Sequence, residues 1–222
     1  MSTVLATDAL EQSLHDFGRW RQRLADAIQT YQEWRDPGPG EQKDDDDERS
    51  EELRLYELIE SLRTDKLNIA LVGEFSRGKT ELINAIFFSD YDRRLLPSTP
   101  GRTTMCPMEI MYDPGIEPCI RLLPIETRKT GLTITELKKS PINWTTIPFR
   151  LDSPDEIAGA LKEVISSKSV TRREAEDLGM LSIVDDMEQT DGDCEIPVWR
   201  HAIVNYPHPL LEEGLVVLDT PG

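Results

Sequence analysis

Gly73-Glu74-Phe75-Ser76-Arg77-Gly78-Lys79-Thr80 satisfies G-x-x-x-x-G-K-[ST], the spacing with which a backbone loop closes around a phosphate. The glycines let the chain fold tightly with its N–H groups turned inward, and a helix starting at the end of the loop adds its partial positive charge. Lys79 can then reach the β- and γ-phosphates of a nucleotide, and the Thr80 hydroxyl can ligate Mg²⁺. A second group of the same chemistry closes the sequence. Leu215-Val216-Val217-Leu218 is an apolar strand ending in Asp219-Thr220-Pro221-Gly222, a D-x-x-G element. A carboxylate at a strand tip can hold the hydration shell of Mg²⁺, and the Gly222 N–H can meet a γ-phosphate, so this is a switch ordered by a triphosphate. ATPases of the Walker type more often carry a second acid after the strand aspartate; Thr220 stands there instead, which favours GTP and leaves a P-loop ATPase as the weaker reading.

Elements of the right kind surround both motifs. The continuous apolar run Leu67–Val72 reads as a fully buried strand at the centre of a parallel sheet, and Lys79 to Phe88 as the helix after the loop. Glu109–Tyr112 and Cys119–Leu123 are shorter strands, while Trp199–Tyr206 and Gly214–Leu218 are expected to form an antiparallel pair across a short loop. Ser153-Pro154-Asp155-Glu156 and Thr171-Arg172-Arg173-Glu174 are each spaced as capping boxes, the first opening a helix through Ile165 and the second one towards Met187. Residues 8–35 form an amphipathic helix with Leu10, Leu14, Phe17, Leu24, Ile28 and Tyr31 in a stripe, an N-cap at Asp8 and a stop at Pro37-Gly38. Its polar face mixes acids and bases, so a helical bundle suits it better than a lipid surface. Ser50 to Leu62 is a second helix. The organisation expected is an N-terminal helix over residues 1–36, an acidic linker over 37–50, and a phosphate-loop domain over 51–222 with a long insert at about 124–196.

Composition removes several classes of function. A formal charge of −17 argues against a nucleic-acid partner, which needs a basic footprint. Eleven acids face three bases between Asp36 and Glu60; the run Asp44 to Asp47 lacks the alternating ligands and central glycine of a calcium loop and reads as solvated linker. No apolar stretch approaches the roughly 18–20 residues that cross a bilayer, and the N-terminus lacks the features of a signal peptide. Cys106, Cys119 and Cys194 are far apart and in no ligand spacing, which suits reduced thiols and a cytoplasmic location. His15, His201 and His208 are isolated in sequence and read as surface or strand histidines rather than general bases.

The loop, the run Glu81-Leu82-Ile83-Asn84-Ala85-Ile86 after it, the segment Leu95-Leu96-Pro97-Ser98-Thr99-Pro100-Gly101-Arg102-Thr103-Thr104 and the closing Asp219-Thr220-Pro221-Gly222 resemble the dynamin-like GTPases, their bacterial members above all. The resemblance covers about residues 50–123 and 197–222. It implies an α/β P-loop GTPase three-layer sandwich, preceded by long α-helical bundle elements. It further implies that Gly73 through Thr80, with Asp219 and Gly222, bind the nucleotide. Ser76 would place the attacking water, Lys79 would hold the phosphates, and Thr104 in the first switch would meet Mg²⁺ and orient that water. Thr103 stands one residue away as an alternative. Mg²⁺ would be held by Thr80, Thr104 and, through water, Asp219. Arg77 would lie near the phosphates as a cis arginine finger or point to solvent.

The activity implied is Mg²⁺-dependent hydrolysis of GTP, with self-association through the GTPase domain. Membrane contact would come through a region absent from this chain, making the intact protein peripheral to a membrane. A nucleotide-gated interaction module without turnover is the rival. No guanine-reading N/T-K-x-D element precedes Gly222, so the sequence is expected to be the N-terminal part of a longer protein that is incomplete in its C-terminal strands. The strand at Leu215–Leu218 would then lack neighbours, the stripe on residues 8–35 would lack bundle partners, and guanine nucleotide would bind weakly and with poor discrimination against adenine.

Overall fold

The structure, a computed structural model, describes residues 2–35, 46–64, 66–73, 78–91, 93–97, 106–180 and 194–220. It divides into two compact units, one of residues 1–67 with 212–215 and one of residues 68–211 with 216–222.

The first unit is built on two helices, α1 (Ser2–Arg35) and α2 (Asp46–Thr64), which pack on each other. α1 begins well before Asp8, so Asp8 lies inside the helix and does not cap it. Leu14 and Ala25 of α1 and Ile59 of α2 are buried. Polar side chains fasten the C-terminal end of α2. Arg21 donates from Nε and Nη2 to the Leu62 carbonyl at 3.1 and 2.8 Å, and Arg63 donates to the Gln29 amide oxygen at 2.7 Å. The Leu62 carbonyl belongs to the last helical turn, where an acceptor has no partner within the helix. Much of the apolar stripe stays partly in solvent, with Leu10, Phe17, Leu24 and Tyr31 each about half exposed, and Trp20 and Trp34 beside it are 70% and 82% exposed. As expected from sequence, the two helices alone do not cover it.

The second unit is a mixed α/β structure around a six-stranded sheet. In chain order the strands are β1 (Leu67–Leu71), β2 (Met108–Met111), β3 (Cys119–Pro124), β4 (Thr145–Pro148), β7 (Trp199–Asn205) and β8 (Leu215–Asp219). Their order across the sheet is β1-β8-β2-β7-β3-β4. β2 runs parallel to β7 and antiparallel to β8, and β3 is antiparallel to both β7 and β4. The Leu67 N–H meets the Gly214 carbonyl at 3.0 Å at one end of β1, and Thr220 meets Leu71 at the other, so β1 and β8 run in the same direction.

Two expectations are corrected here. β7 and β8 are not paired, because β2 lies between them and bonds to both. β8 therefore has neighbours on each side, and it is β1 that ends the described sheet, exposed along almost its whole length. The apolar run at Leu67–Leu71 reads as a buried central strand because such strands are apolar on both faces; among the described residues this strand is instead only partly covered, with Leu67 38% and Ile69 39% exposed.

Register sorts the side chains of the other strands. On one face Met108, Ala202 and Leu122 form one row and Ile110, Val204 and Ile120 the next, all fully buried, and α5 (Pro154–Lys162) packs on β3. On the other face Glu109, Ile203 and Arg121 align, beneath Leu137 of α4 (Ile134–Lys138) and Trp144. A smaller two-stranded sheet, β5 (Ser167–Val170) with β6 (Cys194–Pro197), packs Ile196 and Cys194 against Ala175 of α6 (Arg172–Asp177) and against Leu178, Met180 and Ile125.

The capping boxes divide. At Thr171 both reciprocal bonds form, and α6 ends at Asp177, short of Met187, which lies outside the described residues. At Ser153 the helix starts with proline at its first turn but neither half of the box forms: the Glu156 N–H donates to the Ser153 carbonyl instead of the side chain, and Arg150 takes the Glu156 carboxylate through its N–H, Nε and Nη2. Thr133 and Glu136 form a further complete box at the start of α4.

Candidate nucleotide site

Two strands stop side by side. β1 leads into Val72 and Gly73, and β8 ends at Asp219 beside it. The Thr220 hydroxyl donates to the Leu71 carbonyl at 2.8 Å and ties the two strand ends together. Helix α3 (Lys79–Phe87) begins at the same edge. Its N-cap, Gly78, has φ +85°, a left-handed conformation that favours glycine, and it supplies no side-chain hydrogen bond. The first-turn amides of such a helix need a partner from elsewhere, and an anion is one. The Lys79 ammonium donates to the Gly73 carbonyl, which brackets the loop from both ends. Thr80 follows in the first turn, partly buried.

Asp219 is the most unusual group at this edge. It is 2% exposed, and its Oδ1 has no hydrogen-bond partner. Burial pushes its carboxyl up from the ordinary value, and the positive charge of Lys79 pulls it back only in part. A buried carboxylate oxygen without a hydrogen-bond partner suits a hard cation or its hydration shell, and the hydroxyl of Thr80, in the first turn of the helix that starts at this edge, is an oxygen donor of the kind Mg²⁺ takes. The start of β2 is held opposite, with Met108 paired to Asp219.

Of the residues named from sequence, the structure brings Gly73, Gly78, Lys79, Thr80 and Asp219 to this one edge. Glu74, Phe75, Ser76, Arg77, Thr103, Thr104 and Gly222 lie outside the described residues. Two contributors were not singled out from sequence. Thr220 read only as a clue to base preference, yet its hydroxyl clasps the two strands. Asn84 was one residue of a resembling run, yet it is 7% exposed and its amide makes three hydrogen bonds. Its Oδ1 accepts from the N–H groups of Leu95 at 3.2 Å and Leu96 at 2.9 Å, and its Nδ2 donates to the Leu96 carbonyl at 3.1 Å. An asparagine among Ile83, Ala85 and Ile86 on a helix was the available signal, since a buried amide must find partners.

The histidines and cysteines take other places. His201 lies buried in β7, with Nε2 2.9 Å from the Glu109 carboxylate, a partner far away in sequence. Lys138 donates to both oxygens of the same carboxylate at 2.6 and 2.7 Å. Burial pushes the Glu109 carboxyl up, but the hydrogen bonds from His201 and Lys138 and the charge of Lys138 outweigh it and hold the group at about 2. His208 packs edge-on against Phe87 at 5.0 Å, and His15 pairs with Glu213 at 3.2 Å. The three cysteines are buried and none is in a disulfide, and burial pushes the Cys106 thiol up to about 12, far from a reactive thiolate. Among the described residues no helix is long and apolar enough to cross a membrane.

The model of the dynamin family matches residues 69–222, from the phosphate-loop strand through the D-x-x-G element. Comparison with curated proteins gives no match. Two solved structures similar to this chain come from work on an oligomerised bacterial dynamin pair, described as a mechanism for long-range sensing and tethering of membranes. They are each 12% identical to it, with TM-scores of 0.42 and 0.39 over 93% and 96% of this chain. This chain spans 29% of the length of each of those chains.

Proposed function

Because the chain belongs to the dynamin family, we propose that it carries the phosphate-binding part of a GTPase that hydrolyses GTP to GDP and phosphate. The observation that supports this best is the buried Asp219 carboxylate, whose Oδ1 has no hydrogen-bond partner, set beside Lys79 where the phosphate-loop strand and the D-x-x-G strand end together. In this reading Lys79 releases the Gly73 carbonyl and turns to the β- and γ-phosphates, and the loop amides of Gly73 through Thr80 complete the cradle. Thr80 and Thr104 hold Mg²⁺ directly, and Asp219 holds it through water. When bound, the ion supplies neutralisation of the charge on the β- and γ-oxygens. Ser76 places the attacking water, and Gly222 with Asp219 senses the γ-phosphate. Thr220 keeps Asp219 in register with the loop.

Family membership alone supports the wider parts of the reading: self-association through GTPase domains in the whole protein, and a peripheral role at a membrane through a region outside this chain. The test is calorimetry of GTP, GDP and ATP on the purified chain with and without Mg²⁺. Lys79→Ala should lower triphosphate affinity by about 100-fold, the scale of one lost charge-assisted phosphate contact. An unchanged affinity would show that the loop is not the site.

A further inference from the structure

Asn84 sits one helical turn beyond Thr80, at i+4, so the two share a face of α3. From that face its side-chain amide makes three hydrogen bonds to the backbone of Leu95 and Leu96, both of them buried. Leu95 and Leu96 open the segment that the sequence reads as the first switch. The same stem is tied to the same helix a second time, where Arg94 pairs with Glu81 at 3.2 Å. Tyr91, a few residues earlier, bonds through its hydroxyl to the Leu151 carbonyl at 3.0 Å and to the Tyr206 hydroxyl at 3.3 Å. On the far side of the segment the chain is again fixed, because Met108 pairs with Asp219.

We propose that Asn84 is a positioning residue that sets the stem of the first switch at a fixed height on the phosphate-loop helix, on the face that carries Thr80, so that recognition of a γ-phosphate depends on its amide while binding of a diphosphate does not. The proposal rests on the nucleotide reading above. Its physical basis is a division of labour. Lys79, Gly73 and the N-terminus of α3 are reached without Leu95 or Leu96, so they can hold a diphosphate whether or not the stem is fixed. A switch threonine beyond Leu96 can meet the third phosphate only if its stem returns to one place, and a planar amide with an acceptor and a donor used together defines such a place better than apolar contact. Losing that amide leaves the two N–H groups and one carbonyl of the stem without their buried partners.

The experiment is titration of the chain with fluorescent GDP and with a fluorescent non-hydrolysable GTP analogue in Mg²⁺. Asn84→Ala should leave GDP affinity within about twofold and reduce affinity for the GTP analogue about tenfold, on the scale of one or two lost buried hydrogen bonds. Asn84→Ser introduces no charge and leaves a neutral hydroxyl oxygen able to accept from a stem N–H. It carries the test if the alanine variant does not fold, and should show a smaller fall, about threefold, at unchanged GDP affinity. Equal losses for both nucleotides would make Asn84 a packing residue, and a wild-type affinity ratio in the variants would remove it from triphosphate recognition; either result overturns the proposal. A wild-type chain that binds neither nucleotide, or binds both as well after Lys79→Ala, would overturn the nucleotide reading and this proposal together.

Discussion

β1 and β7 belong to one sheet, and both are rich in apolar residues, yet they live in different surroundings. β7 has a strand on each side, and its Ala202, Ile203 and Val204 are sealed. β1 has β8 on one side and no described strand on the other, and Ile69 at its middle is 39% exposed. The sealed half of the sheet is held by packing and by the cluster of Glu109 with His201 and Lys138. The open half, which carries the phosphate loop, is held by the backbone ladder to β8 and by the Thr220 clasp. Stability and the candidate chemistry thus sit in opposite halves, which fits the general rule that binding elements are drawn from the less stable end of a structure.

The sharpest way to break this contrast is to truncate one isoleucine in each half. Ile203→Ala should destabilise the chain by about 2–4 kcal/mol, and Ile69→Ala by about 1 kcal/mol or less, measured by urea denaturation. Equal losses would mean that β1 is as sealed as β7. Next in size is Glu109→Gln, expected to cost about 2–3 kcal/mol at neutral pH, somewhat below the roughly 3–4 kcal/mol of a carboxyl held at about 2 instead of 4.5, because solvent around the partly exposed Lys138 screens the pair. Because the folded-state value is lowered, the contribution of Glu109 is fully present above pH 4.5 and is lost as pH falls towards 2. The wild-type chain should therefore lose stability more steeply than the variant across that window. Parallel acid curves would detach the cluster from the stability of the sealed half. Smallest is Thr220→Val, which removes one partly buried hydrogen bond at similar volume and should cost about 1 kcal/mol. Hydrogen exchange should report that loss at β1 and not at β7.

What could be read from sequence was whatever neighbours in the chain decide. The strands at Met108–Met111 and Cys119–Pro124, the helix after the phosphate loop and the capping box at Thr171 depend on local patterning, and each stands within a residue or two of its expected place. The box at Ser153 failed because both of its bonds had competitors: the Ser153 carbonyl takes the Glu156 N–H, and Arg150, just outside the four residues, takes the Glu156 carboxylate. Strand order failed for a different reason. Inserting β2 between β7 and β8 is a pairing over about a hundred residues of chain, and alternation along a strand names its buried face but not its neighbour. The exposure of β1 was hidden by the same ambiguity, since an apolar run looks alike whether or not something covers it. At the site, the glycines, Lys79, Thr80 and Asp219 announce themselves by type and spacing, whereas Asn84 shows only as a polar residue on an apolar helix, and the backbone groups that Asn84 and the Thr220 hydroxyl bind leave no mark on the sequence.

The clasp between Thr220 and Leu71 joins residues 149 positions apart, and β8 is the one described strand beside β1. During synthesis the phosphate-loop strand therefore leaves the ribosome with no sheet to join, and it waits for nearly the whole of this chain to follow. At about 5–20 residues per second that is an interval of roughly 7–30 seconds, during which the apolar stretch Leu67–Leu71 must be kept from wrong partners. Nucleotide cannot hasten its docking before Asp219 has been made.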